Sequence, residues 1–155
     1  MLARIAFVLM GNNVQETLTE ELLDELLASP KFDDFEEGRG LRSPSLSEYL
    51  TVLLKKHGFS RATVVREAGM NETFGWQVFK GERGCGRDKT LALAFALHTT
   101  LREANRLLQA AGHNALYCKN RRDAIIIFCL DKGYTLAQAD QALYDFGEQT
   151  ISASS

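Results

Sequence analysis

Apolar side chains recur along most of the chain at intervals of three and four residues, the spacing typical of amphipathic helices. The stretch 49–54 is the clearest case, with apolar residues at Tyr49, Leu50, Leu53 and Leu54. A residue whose side-chain oxygen can accept a hydrogen bond from the first helical turn precedes each predicted helix. These predicted N-caps are Thr17, Ser45, Ser60, Asn71, Asp88, Thr100, Asn120 and Thr135. The pattern predicts an all-α protein.

The run Ala124–Leu130 is continuously apolar and on its own fits a buried strand as well as a helix. Asn120 before the run and Gly133 after it favour a helix that is buried nearly all round. The last predicted helix has Leu136, Ala139, Leu143 and Phe146 on one face. We therefore predict a C-terminal helical hairpin over residues 120–147, followed by a frayed tail over 152–155.

The net charge of −2 over 155 residues hides an uneven distribution. Residues 1–41 contain three basic and nine acidic residues, a net charge of −6. Residues 42–131 contain fourteen basic and eight acidic residues, a net charge of +6, and residues 132–155 carry −2. We divide the chain into an acidic N-terminal helix with a linker (1–41), a central domain (42–115), and a C-terminal hairpin with a tail (116–155).

Cysteine use and apolar runs exclude several classes of protein. Cys85, Cys118 and Cys129 are odd in number and widely spaced, which argues against a disulfide framework and favours a reducing cytoplasm. His113 and Cys118 are the single close pair of potential zinc ligands, so no metal site is expected. No apolar run approaches the ~20 residues of a membrane span, so we expect a cytoplasmic protein without a membrane partner.

The segment Ser60–Gly81 has the pattern of two short helices joined by a tight turn at Gly69, where a residue without Cβ can adopt positive φ. Apolar residues around the turn suit two helices that pack at a steep angle. They are Val64, Ala68, Met70 and Val78. This spacing predicts a helix-turn-helix, in which the second helix enters the major groove of DNA.

With this segment the chain resembles the phage-repressor-like (XRE) helix-turn-helix family over about residues 45–112. The resemblance includes the helix end Phe79-Lys80-Gly81, a fourth helix at Leu91–Leu97 and a fifth at Leu101–Leu108. It implies a lambda-repressor-like five-helix DNA-binding domain, which the acidic N-terminal helix and the C-terminal hairpin flank.

The chain departs from the family pattern at several positions. Val65 stands where the family often has alanine, and Gly75 stands where an apolar anchor is usual. The loop after Gly81 contains Cys85 and Gly86 where the family often has proline. Arg83 and Arg87 flank Cys85, and this arrangement predicts a lowered thiol pKa and the hypothesis of a redox sensor.

The resemblance implies a set of DNA-binding residues. The second helix would present Asn71, Glu72, Thr73, Trp76, Gln77 and Lys80 to the groove, and Arg61, Arg83 and Arg87 would contact phosphates. Gln77 is the candidate for bidentate reading of an adenine edge, Thr73 for a phosphate or a thymine methyl, and Glu72 for cytosine N4. Arg66 and Lys89 can add further phosphate contacts.

The function that these residues predict is sequence-specific binding of double-stranded DNA by a homodimeric transcriptional regulator. The alternative is a protein–protein adaptor with the same scaffold, since Trp76 and the acidic N-terminal helix could contact a protein partner instead. An enzyme is not expected, because no Ser/His/Asp or Cys/His set is recognisable. The segment Gly81–Thr90 lacks the Gly-Lys-Ser/Thr ending of a phosphate loop, and no cofactor is predicted.

Overall fold

The computed structural model describes residues 19–36 and 43–154, which are helical without any strand, and the predicted all-α class is confirmed for them. Residues 19–36 belong to one compact unit and residues 43–154 to a second. The first contains helices α1 (Thr19–Ala28) and α2 (Phe32–Glu36). The second contains α3 (Leu46–His57), α4 (Arg61–Glu67), α5 (Glu72–Lys80), α6 (Arg87–Ala96), α7 (Leu101–Ala110), α8 (Arg121–Asp131), α9 (Leu136–Asp145) and a 3₁₀ helix (Ser152–Ser154).

The acidic helix α1 forms where the leucine pattern predicts it, and Leu23, Leu26 and Leu27 are exposed on it. The predicted linker is not aperiodic throughout, since α2 forms within it. The predicted N-cap Thr17 lies outside the described residues. None of the described helices is long and apolar enough to cross a membrane.

Six of the predicted N-caps form, because each is a local contact between a side chain and the backbone three residues later. Their side chains accept hydrogen bonds from the third helical N–H at Ser45, Ser60, Asn71, Thr100, Asn120 and Thr135. The prediction at Asp88 is wrong. Gly86 is the N-cap of α6 without a side-chain bond, and the Asp88 carboxylate pairs with Arg122 instead.

The helix that is buried nearly all round is α6, where every residue from Thr90 to Ala96 is buried. It packs against α4, α7, α9 and the 3₁₀ helix, and its alanines allow this close approach. The run Ala124–Leu130 is helical as predicted, but the prediction that this helix is buried nearly all round is wrong. In α8, Ile126 and Cys129 are fully buried, whereas Phe128 is 52% exposed.

The C-terminal hairpin forms from α8 and α9, and it packs on α7 and α6 within the same compact unit as the predicted central domain. Ala139 and Leu143 are buried as predicted, but Phe146 is 57% exposed. The tail is not frayed over 152–154. Ile151 is buried, and the Asp140 carboxylate accepts its backbone N–H at 2.7 Å, which fixes the 3₁₀ helix against α6.

Two arginine–aspartate pairs join the start of α6 to the start of α8. The Arg87 guanidinium donates to both oxygens of Asp123 at 3.1 and 3.0 Å. Arg122 donates to both oxygens of Asp88 at 3.0 and 3.1 Å. Bidentate pairs of this kind are stronger and more directional than single charged hydrogen bonds. We refer to Arg87, Asp88, Arg122 and Asp123 as the Arg–Asp clamp.

Further hydrogen bonds connect the clamp and Arg121 to the loop before α8 and to the segment after α9. Arg122 also donates from Nε to the Gln149 carbonyl at 2.9 Å, and Arg121 donates to the Phe146 carbonyl at 2.7 Å. The Tyr117 backbone N–H donates to Asp123 at 3.1 Å. The clamp therefore fixes both the loop before α8 and the segment after α9.

The buried Glu103 carboxylate joins the start of α7 to the end of α3. It accepts the Thr100 backbone N–H at 2.9 Å and contacts Lys56 Nζ at 2.9 Å and His57 Nε2 at 3.1 Å. Burial by itself raises the pKa of this carboxyl, but the three contacts outweigh burial and hold the pKa below its usual range. The carboxylate is therefore the form that stabilises the junction of α3 and α7.

Candidate nucleic-acid interface

A short turn joins α4 to α5. Gly69 has φ of 67°, a left-handed conformation that glycine adopts without a steric penalty. The Met70 backbone N–H donates back to the Val65 carbonyl at 3.1 Å, and the Asn71 side chain accepts the Phe74 N–H at 3.1 Å. The turn therefore ends α4 and begins α5 within four residues.

Gly75 and Val65 lie against each other where α5 packs on α4. A Cβ atom placed on Gly75 would lie 2.5 Å from Cγ1 and 2.7 Å from Cγ2 of Val65, distances that real atoms do not reach. Both residues are buried. The large side chain at 65 therefore fills the space that glycine leaves at 75, so the two departures from the family pattern compensate for each other.

The six predicted groove-facing residues lie on α5 and at its N-cap, and all six reach solvent. Gly75, Val78 and Phe79 occupy the buried face of the helix. We call the six together the outer face of α5. Five of them are exposed and Gln77 is half-buried; the six are Asn71, Glu72, Thr73, Trp76, Gln77 and Lys80.

Two cations lie over the ring of Trp76. Lys80 Nζ is 3.9 Å from the ring centroid and Arg61 Cζ is 5.9 Å from it. Such cation–π contacts hold long side chains in place, at about 0.5–1 kcal/mol each when exposed. Lys80 also lies 3.6 Å from the exposed Glu82 carboxylate. The structure thus brings together three of the predicted site residues, Arg61, Trp76 and Lys80.

A second aromatic residue of α5, Phe74, also has two cations over its ring. Arg83 Cζ is 5.4 Å and Lys89 Nζ is 4.3 Å from the centroid of the Phe74 ring. Phe74 and Lys89 border a shallow depression of about 720 Å³, which residues 84–88 and Ala111 complete. Phe74 is not among the site residues predicted from the sequence. The signal for it is an aromatic residue within a segment rich in lysine and arginine.

Arg87 borders the same depression, but its guanidinium is engaged in the Arg–Asp clamp. Its guanidinium donates to both oxygens of Asp123 in the Arg–Asp clamp, and it lies 3.5 Å from the Asn114 carbonyl oxygen. Its charge is therefore compensated by a carboxylate that is nearly buried.

The expectation of a lowered thiol pKa at Cys85 is wrong. Burial raises the pKa of this thiol, and this effect outweighs the opposing effects of the Thr90 hydroxyl at 3.1 Å and of the Lys89 charge. The redox-sensor hypothesis therefore loses its chemical basis, since a raised pKa disfavours the reactive thiolate. His113 Nε2 lies 2.8 Å from the Cys85 carbonyl oxygen.

Among the described residues, no three His, Cys, Asp or Glu side chains are grouped so that they could hold a metal ion. Comparisons of the chain with protein-family models, with curated proteins and with solved structures find no match.

Proposed function

We propose that this protein binds double-stranded DNA in a sequence-specific manner and regulates transcription, with α5 as the helix that enters the major groove. The observation that supports this most directly is the outer face of α5. It combines exposed polar side chains with Trp76 and Lys80 on a helix that follows a four-residue turn. The major groove is wide enough to admit one α-helix, and its base edges are read by side chains of this kind.

The packing of α3 to α7 supports a lambda-repressor-like five-helix domain within the predicted range 42–115. α3 packs against α5 and α7, and α4 packs against α5 and α6. The last pair, α6 and α7, also pack against each other. The unit of α4 and α5 therefore packs on α3 and α6, and α7 packs on both of these helices.

The side chains of the outer face have distinct roles in this proposal. Gln77 reads an adenine edge and Glu72 accepts a hydrogen bond from cytosine N4. Asn71 uses Oδ1 to cap α5, and its amide nitrogen donates to the DNA. Arg61, Lys80 and Arg83 contact phosphates, which position the domain without reading sequence.

We further propose a cytoplasmic homodimer on a palindromic site. A two-fold dimer matches half-sites that lie about one turn of the duplex apart. Binding by two copies doubles the base pairs that are read. The oligomeric state is measured by sedimentation of the full chain with and without the selected duplex.

Duplex affinity is expected to decrease steeply with salt. If about four cations neutralise phosphates, the affinity decreases roughly 100-fold between about 50 and 200 mM salt. The Lys80→Ala variant should reduce the slope of log affinity against log salt by ~0.9. Lys132→Ala, which removes an exposed cation from the C-terminal hairpin, is the matched control and should leave the slope unchanged. Fluorescence anisotropy of a labelled duplex measures both.

Gln77→Ala is expected to reduce discrimination between bound and unbound sequences by ~1–3 kcal/mol, because a bidentate contact to adenine is lost. The measurement is selection of bound duplexes from a random pool, followed by competition with single-base variants. Gln109→Ala, at an exposed position on α7, is the control and should preserve the preference. Equal sequence preference in the wild type, Gln77→Ala and Gln109→Ala would contradict the role of Gln77.

A protein-binding adaptor is the second candidate, because α1 exposes Leu23, Leu26 and Leu27 on an acidic helix. Exposed apolar side chains on an amphipathic helix suit a protein groove. The two functions differ in their response to DNA. If the wild-type protein binds no duplex at low salt, the adaptor replaces the regulator as the proposed function.

A further inference from the structure

Trp76 is the single tryptophan of the chain, and it is 42% exposed on the outer face of α5. Other large aromatic residues that are exposed in the second unit lie outside this helix, at Tyr117, Phe128, Tyr144 and Phe146. Trp76 is therefore a large apolar surface among charged and polar side chains. Its partner must offer negative charge to Arg61 and Lys80 and an apolar group to the indole.

The indole edge is a part of Trp76 that neither cation covers. Lys80 Nζ lies over the ring at 3.9 Å from its centroid, and Arg61 Cζ lies over it at 5.9 Å. Stacking of an unpaired base on a ring face that a cation covers would have to displace that cation. Contact with a small apolar group at the ring edge would leave both in place, with their charges directed to phosphates.

The major groove offers one apolar group of this size, the C5 methyl of thymine. We propose that Trp76 is a specificity-determining residue that contacts a thymine methyl in the major groove. Arg61 and Lys80 flank this contact by binding phosphates. This inference rests on the proposed duplex binding. Gln77 is the next residue on α5, and the two side chains together would recognise adenine and thymine bases.

Replacement of thymine by deoxyuridine tests this contact, because it removes the methyl and leaves the base pairing intact. The duplex is one selected by the wild-type protein, with each thymine replaced in turn. Burial of one methyl corresponds to about a fourfold change in affinity. We expect a loss of about fourfold at one thymine for the wild type. For Trp76→Ala we expect less than a twofold change on the same replacement.

Tyr144→Ala, which truncates an aromatic residue that is 72% exposed on α9, is the matched control and should retain the fourfold difference. Thermal melts confirm that both variants are folded. The intrinsic fluorescence of the single tryptophan gives a second readout. We expect it to change on binding of the thymine duplex and to change less with the deoxyuridine duplex.

Several outcomes would overturn the inference. Trp76→Ala could weaken binding to the thymine and deoxyuridine duplexes equally, in which case Trp76 only positions Arg61 and Lys80. The thymine preference could persist in Trp76→Ala and disappear in Thr73→Ala, which would assign the methyl contact to Thr73. Tighter binding of single strands than of duplexes would show base stacking instead. In the first two cases the proposed duplex binding stands, whereas it fails together with the inference if no duplex is bound.

Discussion

Gly75→Ala is expected to lower the free energy of unfolding by about 1–3 kcal/mol, the usual cost of an additional carbon in a filled core. A decrease in stability would be informative, because helix propensity alone predicts that alanine at this position stabilises α5 by ~1 kcal/mol. The new Cβ would lie 2.5 and 2.7 Å from the two γ carbons of Val65, so α5 would have to move away from α4. Urea denaturation of the full chain measures the change.

Val65→Ala in the same protein should restore part of this loss. Alone it leaves a cavity and costs about 1–3 kcal/mol, but it also removes the two carbons that the new Cβ at position 75 would strike. The double variant should therefore be more stable than the sum of the single effects predicts by at least ~1 kcal/mol. Gly84→Ala is the control, since no atom lies within 4 Å of its Cβ position. Strict additivity would contradict the close contact of α4 and α5.

The Val65–Gly75 pair shows which features of the fold could be predicted from the sequence and which could not. Each residue taken alone weakens the resemblance to the helix-turn-helix family. Their compensation is visible only when the residues between them are folded into a turn. The turn itself, with Gly69 and the cap Asn71, could be predicted because its hydrogen bonds join residues three to five positions apart.

Burial could be predicted for faces of helices but not for whole helices. Periodicity identifies the side of a helix that is apolar, as it does for Leu50 and Leu53 of α3, both of which are buried. Periodicity does not show how many other helices pack around a given helix. The isoleucine-rich α8 therefore exposes Phe128, whereas α6, with fewer large side chains, buries every residue from Thr90 to Ala96.

Ion pairs between residues far apart in the sequence are the second feature that could not be predicted. The sequence predicts Asp88 as the cap of α6 because N-caps are local, and the resemblance to the helix-turn-helix family implies a phosphate contact for Arg87. Both pair with residues 34 and 36 positions later. The sequence does contain a trace of this pairing, since the dipeptide Arg-Asp occurs at 87–88 and again at 122–123.

Asp123→Ala is expected to lower the free energy of unfolding by about 3–5 kcal/mol, because it leaves the Arg87 guanidinium without its carboxylate in a partly buried site. The Tyr117 backbone N–H loses its acceptor in the same change. The junction of α6 and α8 should loosen first, so amide hydrogen exchange should rise there before it rises in α3. Urea denaturation measures the total loss.

Asp131→Ala, at the other end of α8, is the matched control, because its carboxylate is 73% exposed and its one described ion pair spans 3.9 Å. It should change stability by less than ~0.5 kcal/mol. Arg87→Met together with Asp123→Leu should recover most of the loss, since no buried charge is then uncompensated. The same variants also distinguish the two roles considered for Arg87, the ion pair in the clamp and a phosphate contact. If Asp123→Ala costs less than ~1 kcal/mol while Arg87→Met lowers the salt slope of duplex binding by ~0.9, Arg87 binds phosphate and the clamp is not what holds α6 to α8.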